Sequence, residues 1–338
     1  MAQLRVRQAI IQALADELER DPTVVLMGED IGASGGAFKA TDGLYERFGG
    51  RRVRDTPISE MGFLGAAVGA AATGLRPVVE MMFVEFIGVA LDQLTTEACK
   101  FHFLSRGKLR VPLTVRASAG AGLGFGCQHS QMLDQWFRGT PGLKVVIPSG
   151  PQNAYGLLRS AIQDDNPVVV LESRAIYGER GDVLVGDEGL VPLGRALVEG
   201  IGGEVTIVTA GQLVGATRRA IDSAEWTGEL VDLQTLVPWD RTAVLESASR
   251  TRRLVVVEES PFSGGWGSEI AAVVAGELFG ELLAPVHRIT LPDTPVPFAA
   301  ALEAAYLPGP DYIRSQIDEL IETARIPLPW WSRQEALA

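Results

Sequence analysis

At 338 residues the chain is too long for one ordinary domain, and 46% hydrophobic against 21% charged residues gives it enough apolar material for large cores. A formal net charge of -12 argues against a nucleic-acid or anionic-membrane surface, since both need clustered Lys and Arg, and is simply explained by solubility. Cys99 and Cys127 stand far apart with no CxxC, which argues against a disulfide framework or a cysteine zinc site.

In chain order, Val6, Ala9, Ile10, Ala13, Leu14 and Leu18 recur at helical spacing and predict an amphipathic helix over 4–20 rather than a signal peptide. Residues 23–27 form a continuous apolar run, a buried strand ending at Gly28-Glu29-Asp30, and a glycine-rich loop follows through Gly36. Residues 60–74 predict a helix with a face of small residues, which admits a close neighbour, another helix or a cofactor. Pro77 opens a strand through Met82. Helix is expected over 87–104, strand over 111–115, helix near 130–138, strand over 143–147, helix over 151–164 and strand over 167–172.

Residues 178–192, rich in Gly, Asp and Glu, break this rhythm and mark an interdomain connection. Strands at 204–209, 229–233 and 254–258 then alternate with helices at 211–224, 267–283 and 310–324, and His287 opens a late strand. The tail Pro327-Leu328-Pro329-Trp330-Trp331 is expected to pack on a neighbour. Apolar strands alternating with helices mean parallel sheets covered on both faces. The expected fold is α/β with two parallel-sheet domains, 1–185 and 201–338, joined by a linker at 186–200. No apolar run is long enough to cross a bilayer, and a soluble cytoplasmic protein with reduced thiols is expected.

The run Gly120-Ala121-Gly122-Leu123-Gly124-Phe125-Gly126 follows a strand and suits a dinucleotide fold in context, but the GxGxxG fingerprint fails: from Gly120 its last position is Phe125, from Gly122 it is Cys127. HExxH and GxxxxGK[ST] are absent. The three histidines are too scattered for a metal cluster by spacing. His102 reads as packed and His287 as structural, whereas His129, between the glycine run and the next helix, either reaches a ligand or caps that helix. Glu60 follows Ser59, a natural helix cap. It either complements the helix dipole or serves as a half-buried carboxylate against the small-residue helix.

The ordered set GED, GGAFKATDGL, DTPISEMGF, GLRPVVEMMFVEF, QHSQ, PGLKVVIP and DDNPVVVLE closely resembles the beta subunits of thiamine-diphosphate-dependent 2-oxoacid and acetoin dehydrogenases, over about residues 4–324. EMMFVEFIGVALDQ and the GAGL before QHSQ lean toward the acetoin branch. The resemblance implies a pyrimidine-binding domain followed by a transketolase C-terminal domain. It implies cleavage of a 2-oxoacid or acetoin, with transfer of the acyl fragment to a lipoyl group. The family holds the diphosphate and its magnesium through GDG and a following Asn, but here Gly181-Asp182 is followed by Val183 and Gly186-Asp187 by Glu188. The implied partners are therefore an alpha subunit that supplies the magnesium half, two of each chain, and a lipoyl acyltransferase core.

Position by position, the resemblance gives Glu60 the hydrogen bond to the aminopyrimidine ring of thiamine diphosphate. Proton sharing there favours the tautomer whose exocyclic nitrogen acts as a base. It makes Phe86 the aromatic that packs on that ring, Glu29 and Ile58 pocket residues, and His129 the histidine facing substrate and lipoyl group. It also marks Leu113, Ala161, Asp164 and Asn166 as a potassium site, against the simpler reading of Asp164-Asp165-Asn166-Pro167 as a helix-to-strand turn. Trp136 and Phe137 lie where members vary, which leaves substrate size open. Two rivals stand: a transketolase-like enzyme with an aldehyde acceptor and no lipoyl partner, and a non-catalytic assembly subunit.

Overall fold

A computed structural model describes residues 1–200 and 202–332. Strand β1 (Ala2–Arg5) leads into helix α1 (Val6–Arg20), which buries Ile10, Leu14 and Leu18. Asp21 ends that helix with an Asx turn, its carboxylate accepting from the Thr23 N–H at 2.8 Å and hydroxyl at 2.6 Å, and β2 (Val24–Gly28) begins at once. There follow α2 (Leu44–Phe48), β3 (Val53–Asp55), α3 (Glu60–Ala72) and β4 (Arg76–Met81). The expected helix over 87–104 is composite: a tight 3-10 segment (Val84–Ala90), a wide π segment (Gln93–Ala98) and α4 (Cys99–Leu104). The first half continues with β5 (Thr114–Ala119), α5 (Gln135–Arg138), β6 (Lys144–Val146), α6 (Pro151–Gln163), β7 (Val168–Ser173) and β8 (Arg180–Val183), which pairs with β1.

The second half runs β9 (Leu197–Glu199), β10 (Val205–Thr209), α7 (Leu213–Asp222), β11 (Gly228–Asp232), β12 (Thr235–Val237), α8 (Arg241–Thr251), β13 (Leu254–Pro261), α9 (Gly267–Glu277), β14 (His287–Leu291), α10 (Ala300–Tyr306) and α11 (Pro310–Thr323). Its sheet has the order β14-β13-β10-β11-β9, parallel except for β9, which lies inside the stretch expected to be linker. The first sheet, β12-β6-β7-β5-β4-β2-β3, is parallel except at one edge, where β12 from the second half pairs antiparallel with β6.

One face of the first sheet is covered by α1 and α6, packed on each other through Leu14, Leu18, Tyr155 and Leu158. The other face carries α3 and the 84–104 segment, and this core runs on without a break into Val208, Val231, Val256 and Ile270 of the second half. The two halves therefore share one apolar layer. On the far side of the second sheet, α7 and α11 bury Leu213, Ala220, Ile313 and Ile317. His287 is buried at the start of β14, as expected for a structural histidine; burial pushes its pKa down to about 4, with Gln316 of α11 pulling the other way. The tryptophan tail folds back on its own chain, the Trp330 N–H donating to the Tyr312 hydroxyl at 3.2 Å.

Candidate active site

Parallel strands end on one edge of the sheet, and that is where their loops gather functional groups. Five such ends, those of β2, β3, β4, β5 and β7, build the site. Gly28 closes β2 against β4; a Cβ there would come within 2.7 Å of the Glu80 carbonyl, so only glycine lets the chain pass. Glu29 follows, half-buried, with a carboxylate oxygen that has no hydrogen-bond partner. Burial raises its pKa, and the neighbouring charges of Glu60 and Asp30 add to the rise. Glu60, also half-buried, is the first residue of α3. Ser59 occupies the cap position without capping; its hydroxyl makes only a long bond to the Pro57 carbonyl, 3.4 Å. The two carboxylates thus stand in each other's field. Ile58 and Met61, 83% and 59% exposed, flank Glu60 as apolar side chains open to solvent.

After β4 come Phe83, Glu85 and Phe86, and after β5 comes the glycine run that ends at His129. The His129 ring lies edge-on to Phe83, centroids 4.4 Å apart, and to Phe86 at 5.5 Å. Phe83 also touches Phe38 and Phe125 at 5.5 and 5.8 Å, so it is the hub of an aromatic cluster. Glu85 accepts the Gln131 N–H at 2.8 Å through one oxygen; the other is buried without a partner. Burial raises the Glu85 pKa, while Arg174 and His129 oppose the rise. No helix starts at His129: α5 begins only at Gln135, which removes the capping alternative.

Past the end of β7, Arg174 is buried, its guanidinium 4.9 to 5.4 Å from the ring centres of Phe83, Phe125 and Phe38. It donates to the Ser118 hydroxyl at 2.9 Å, to the Gly120 carbonyl at 3.2 Å and to the His129 carbonyl. Phe83, Glu85 and Arg174 escaped sequence reasoning; their signal was position, just past the carboxyl ends of β4 and β7.

Leu113, Ala161, Asp164 and Asn166 gather at the opposite edge, where β5 begins and α6 ends. The Asp164 carboxylate is engaged by Lys144 and by Asn166, and its carbonyl accepts from Arg76 at 3.0 Å. Among the described residues no group of three or more His, Cys, Asp or Glu could hold a metal ion, and no helix is long and apolar enough to cross a membrane.

Residues 2–179 match the family model of the transketolase pyrimidine binding domain, and residues 194–313 that of the transketolase C-terminal domain. The chain is 42% identical to the mitochondrial pyruvate dehydrogenase E1 component subunit beta of Caenorhabditis elegans, over 95% of this chain and 93% of that one. It is 42% identical to the acetoin:2,6-dichlorophenolindophenol oxidoreductase subunit beta of Cupriavidus necator, over 90% and 94%. It is 38% identical to the 2-oxoisovalerate dehydrogenase subunit beta of Bacillus subtilis, over 93% and 97%. A split-gene transketolase, solved as an inactive beta4 tetramer, shares the fold with a TM-score of 0.77 at 23% identity, over 95% of this chain and 99% of that one. Two matched domains in this order, and relatives aligned almost end to end, place the chain in the family of beta subunits of the thiamine-diphosphate-dependent 2-oxoacid and acetoin dehydrogenases.

Proposed function

We propose that this chain is the beta half of an enzyme that cleaves a 2-oxoacid or acetoin and passes the acyl fragment to a lipoyl group. The observation that carries the reading is that loops after the carboxyl ends of the parallel strands bring a carboxylate pair, Glu29 and Glu60, and a histidine-bearing aromatic cluster to one edge of the sheet. Unpartnered buried oxygens on Glu29 and Glu85 fit a polar ring bound there, because a buried carboxylate oxygen without a donor is costly. Bound thiamine diphosphate would supply the carbon nucleophile. Glu60 would hold the proton shared with its aminopyrimidine, Glu29 would keep that proton nearby, Phe86 would fix the ring plane, and Ile58 would line the rim. His129, steadied by Phe83 and by Arg174 at its carbonyl, would face substrate and acceptor.

The uncovered Ile58 and Met61 support a partner surface across the pocket mouth. The proposal assigns it to an alpha subunit that holds the diphosphate and magnesium, two alpha with two beta chains docked on a lipoyl acyltransferase core. It carries with it a cytoplasmic setting, where the two free thiols stay reduced. The test is reconstitution. The isolated chain should turn nothing over with thiamine diphosphate and magnesium, and activity should appear on mixing with the alpha subunit. Robust turnover by this chain alone would sink the assembly. Transfer to an aldehyde but not to a lipoyl domain would favour the transketolase-like rival, and an inactive assembly the non-catalytic one.

The potassium site is a separate proposal. With the Asp164 carboxylate already paired with Lys144, the ion would rest mainly on carbonyl oxygens of Leu113, Ala161, Asp164 and Asn166. Potassium at about a hundred times its dissociation constant should then stabilise the fold by ~2.7 kcal/mol. Equal melting temperatures in potassium and choline salts would dismiss it.

A further inference from the structure

The glycine run that fails as a nucleotide fingerprint is nonetheless an anion-binding concavity, and its anions belong to this chain. Gly120, Gly122, Gly124 and Gly126 have φ of +87, +110, +73 and +72, the left-handed region, and such turns aim successive N–H groups to one side. The Ala121 N–H donates to Glu259 at 2.7 Å. The Gly122 and Gly124 N–H groups donate to the two oxygens of Glu303, each at 2.8 Å. Glu259 lies in β13 and Glu303 in α10, both in the second half of the chain. Gln212 completes that side, donating to Glu259 at 2.6 Å and to the Ala121 carbonyl at 3.1 Å.

From the other side Arg174 holds the carbonyls of Gly120 and His129, while the Gly120 N–H reaches the Gln131 carbonyl at 3.0 Å and closes the loop. The loop is gripped by carboxylates at its N–H groups and by a guanidinium at its carbonyls. His129 follows directly, its N–H donating to the Gly126 carbonyl at 3.2 Å. We propose that Glu303, with Glu259 beside it, is a positioning residue for His129: the second domain fixes the glycine loop and so sets where the imidazole stands in the pocket. This rests on the proposed role of His129 for its catalytic consequence, but not for its geometry.

The chain has three histidines, so each ring can be assigned in an NMR spectrum by single substitution. Glu303→Ala removes both acceptors. Glu303→Gln keeps the volume but turns one donor against a donor, and serves should the alanine variant not fold. Gly122 is exposed and Gly124 partly so, which lets water reach both N–H groups. In the full chain the His129 ring signals should shift or broaden in both variants, with those of His102 and His287 unmoved. Unchanged His129 signals in a folded variant would overturn the proposal. In the complete assembly, turnover should fall by roughly 10–10²-fold with cofactor affinity retained, the cost of misplacing a group by ~1 Å. If His129→Ala is slow and Glu303→Ala is not, the positioning role fails; if His129→Ala is itself at full rate, it is the function proposed for the pocket that fails.

Discussion

Glu60→Gln should fold almost normally and yet slow the first proton transfer on the cofactor by orders of magnitude. Glutamine keeps the volume and can hydrogen-bond, but it cannot titrate. As a first-turn helix residue Glu60 is worth only about 0.3–1 kcal/mol through the helix dipole, and the missing Ser59 cap bond shows how little local capping defines this terminus. The substitution also takes a negative charge away from Glu29, whose raised pKa owes part of its rise to Glu60. Fold stability is therefore insulated from the change while the shared proton is not. Each ~1.4 kcal/mol of lost barrier reduction is a factor of ten in rate. The measurement is hydrogen–deuterium exchange at the thiazolium carbon of bound thiamine diphosphate, by rapid quench and NMR in the complete alpha-beta assembly. Equal exchange rates in wild type and variant would remove Glu60 from the mechanism.

His129→Ala is expected to lower turnover with the natural acceptor by roughly 10²–10⁴, the range of a positioned acid-base group, with little change in cofactor affinity. The competing structural effect is bounded. The ring makes edge contacts with Phe83 and Phe86, each of the kind worth about 0.5–1.5 kcal/mol, so some loss of melting temperature accompanies the change. The loop would still be held by its backbone, because Arg174 grips the His129 carbonyl rather than the ring. A variant that melts a few degrees early but works at full rate would reduce His129 to packing.

Long elements with an unbroken apolar period were legible in the sequence: α1, α6, α11 and the central strands lie within a few residues of expectation. The helix expected over 130–138 shrinks to Gln135–Arg138, because Gln131 is held in the loop that carries His129, its N–H donating to Glu85 and its carbonyl accepting from Gly120. Short β3, β12 and α2 left no periodic signal, since five residues span less than two helical turns and three residues barely exceed one pleat repeat. Glu29, Glu60, Phe86 and His129 were singled out through motif resemblance. Arg174, Glu85 and Glu303 were not, because their roles arise only when strand ends from distant sequence meet. Glu303 lies 181 residues from one of the amides it accepts.

The pairing of β12 with β6 has a bearing on how the chain is made. Val146 on β6 meets Thr235 on β12, so the edge of the first sheet stays open until the second half has been synthesised. During that interval β6 presents unpaired backbone donors and acceptors beside two buried valines, the kind of template on which strands from other chains add. A fragment cut anywhere before β12 would keep that exposure permanently. The nascent first half thus carries a short open edge that closes only when a strand from the other half arrives, and long-range pairing of this sort is slow to form.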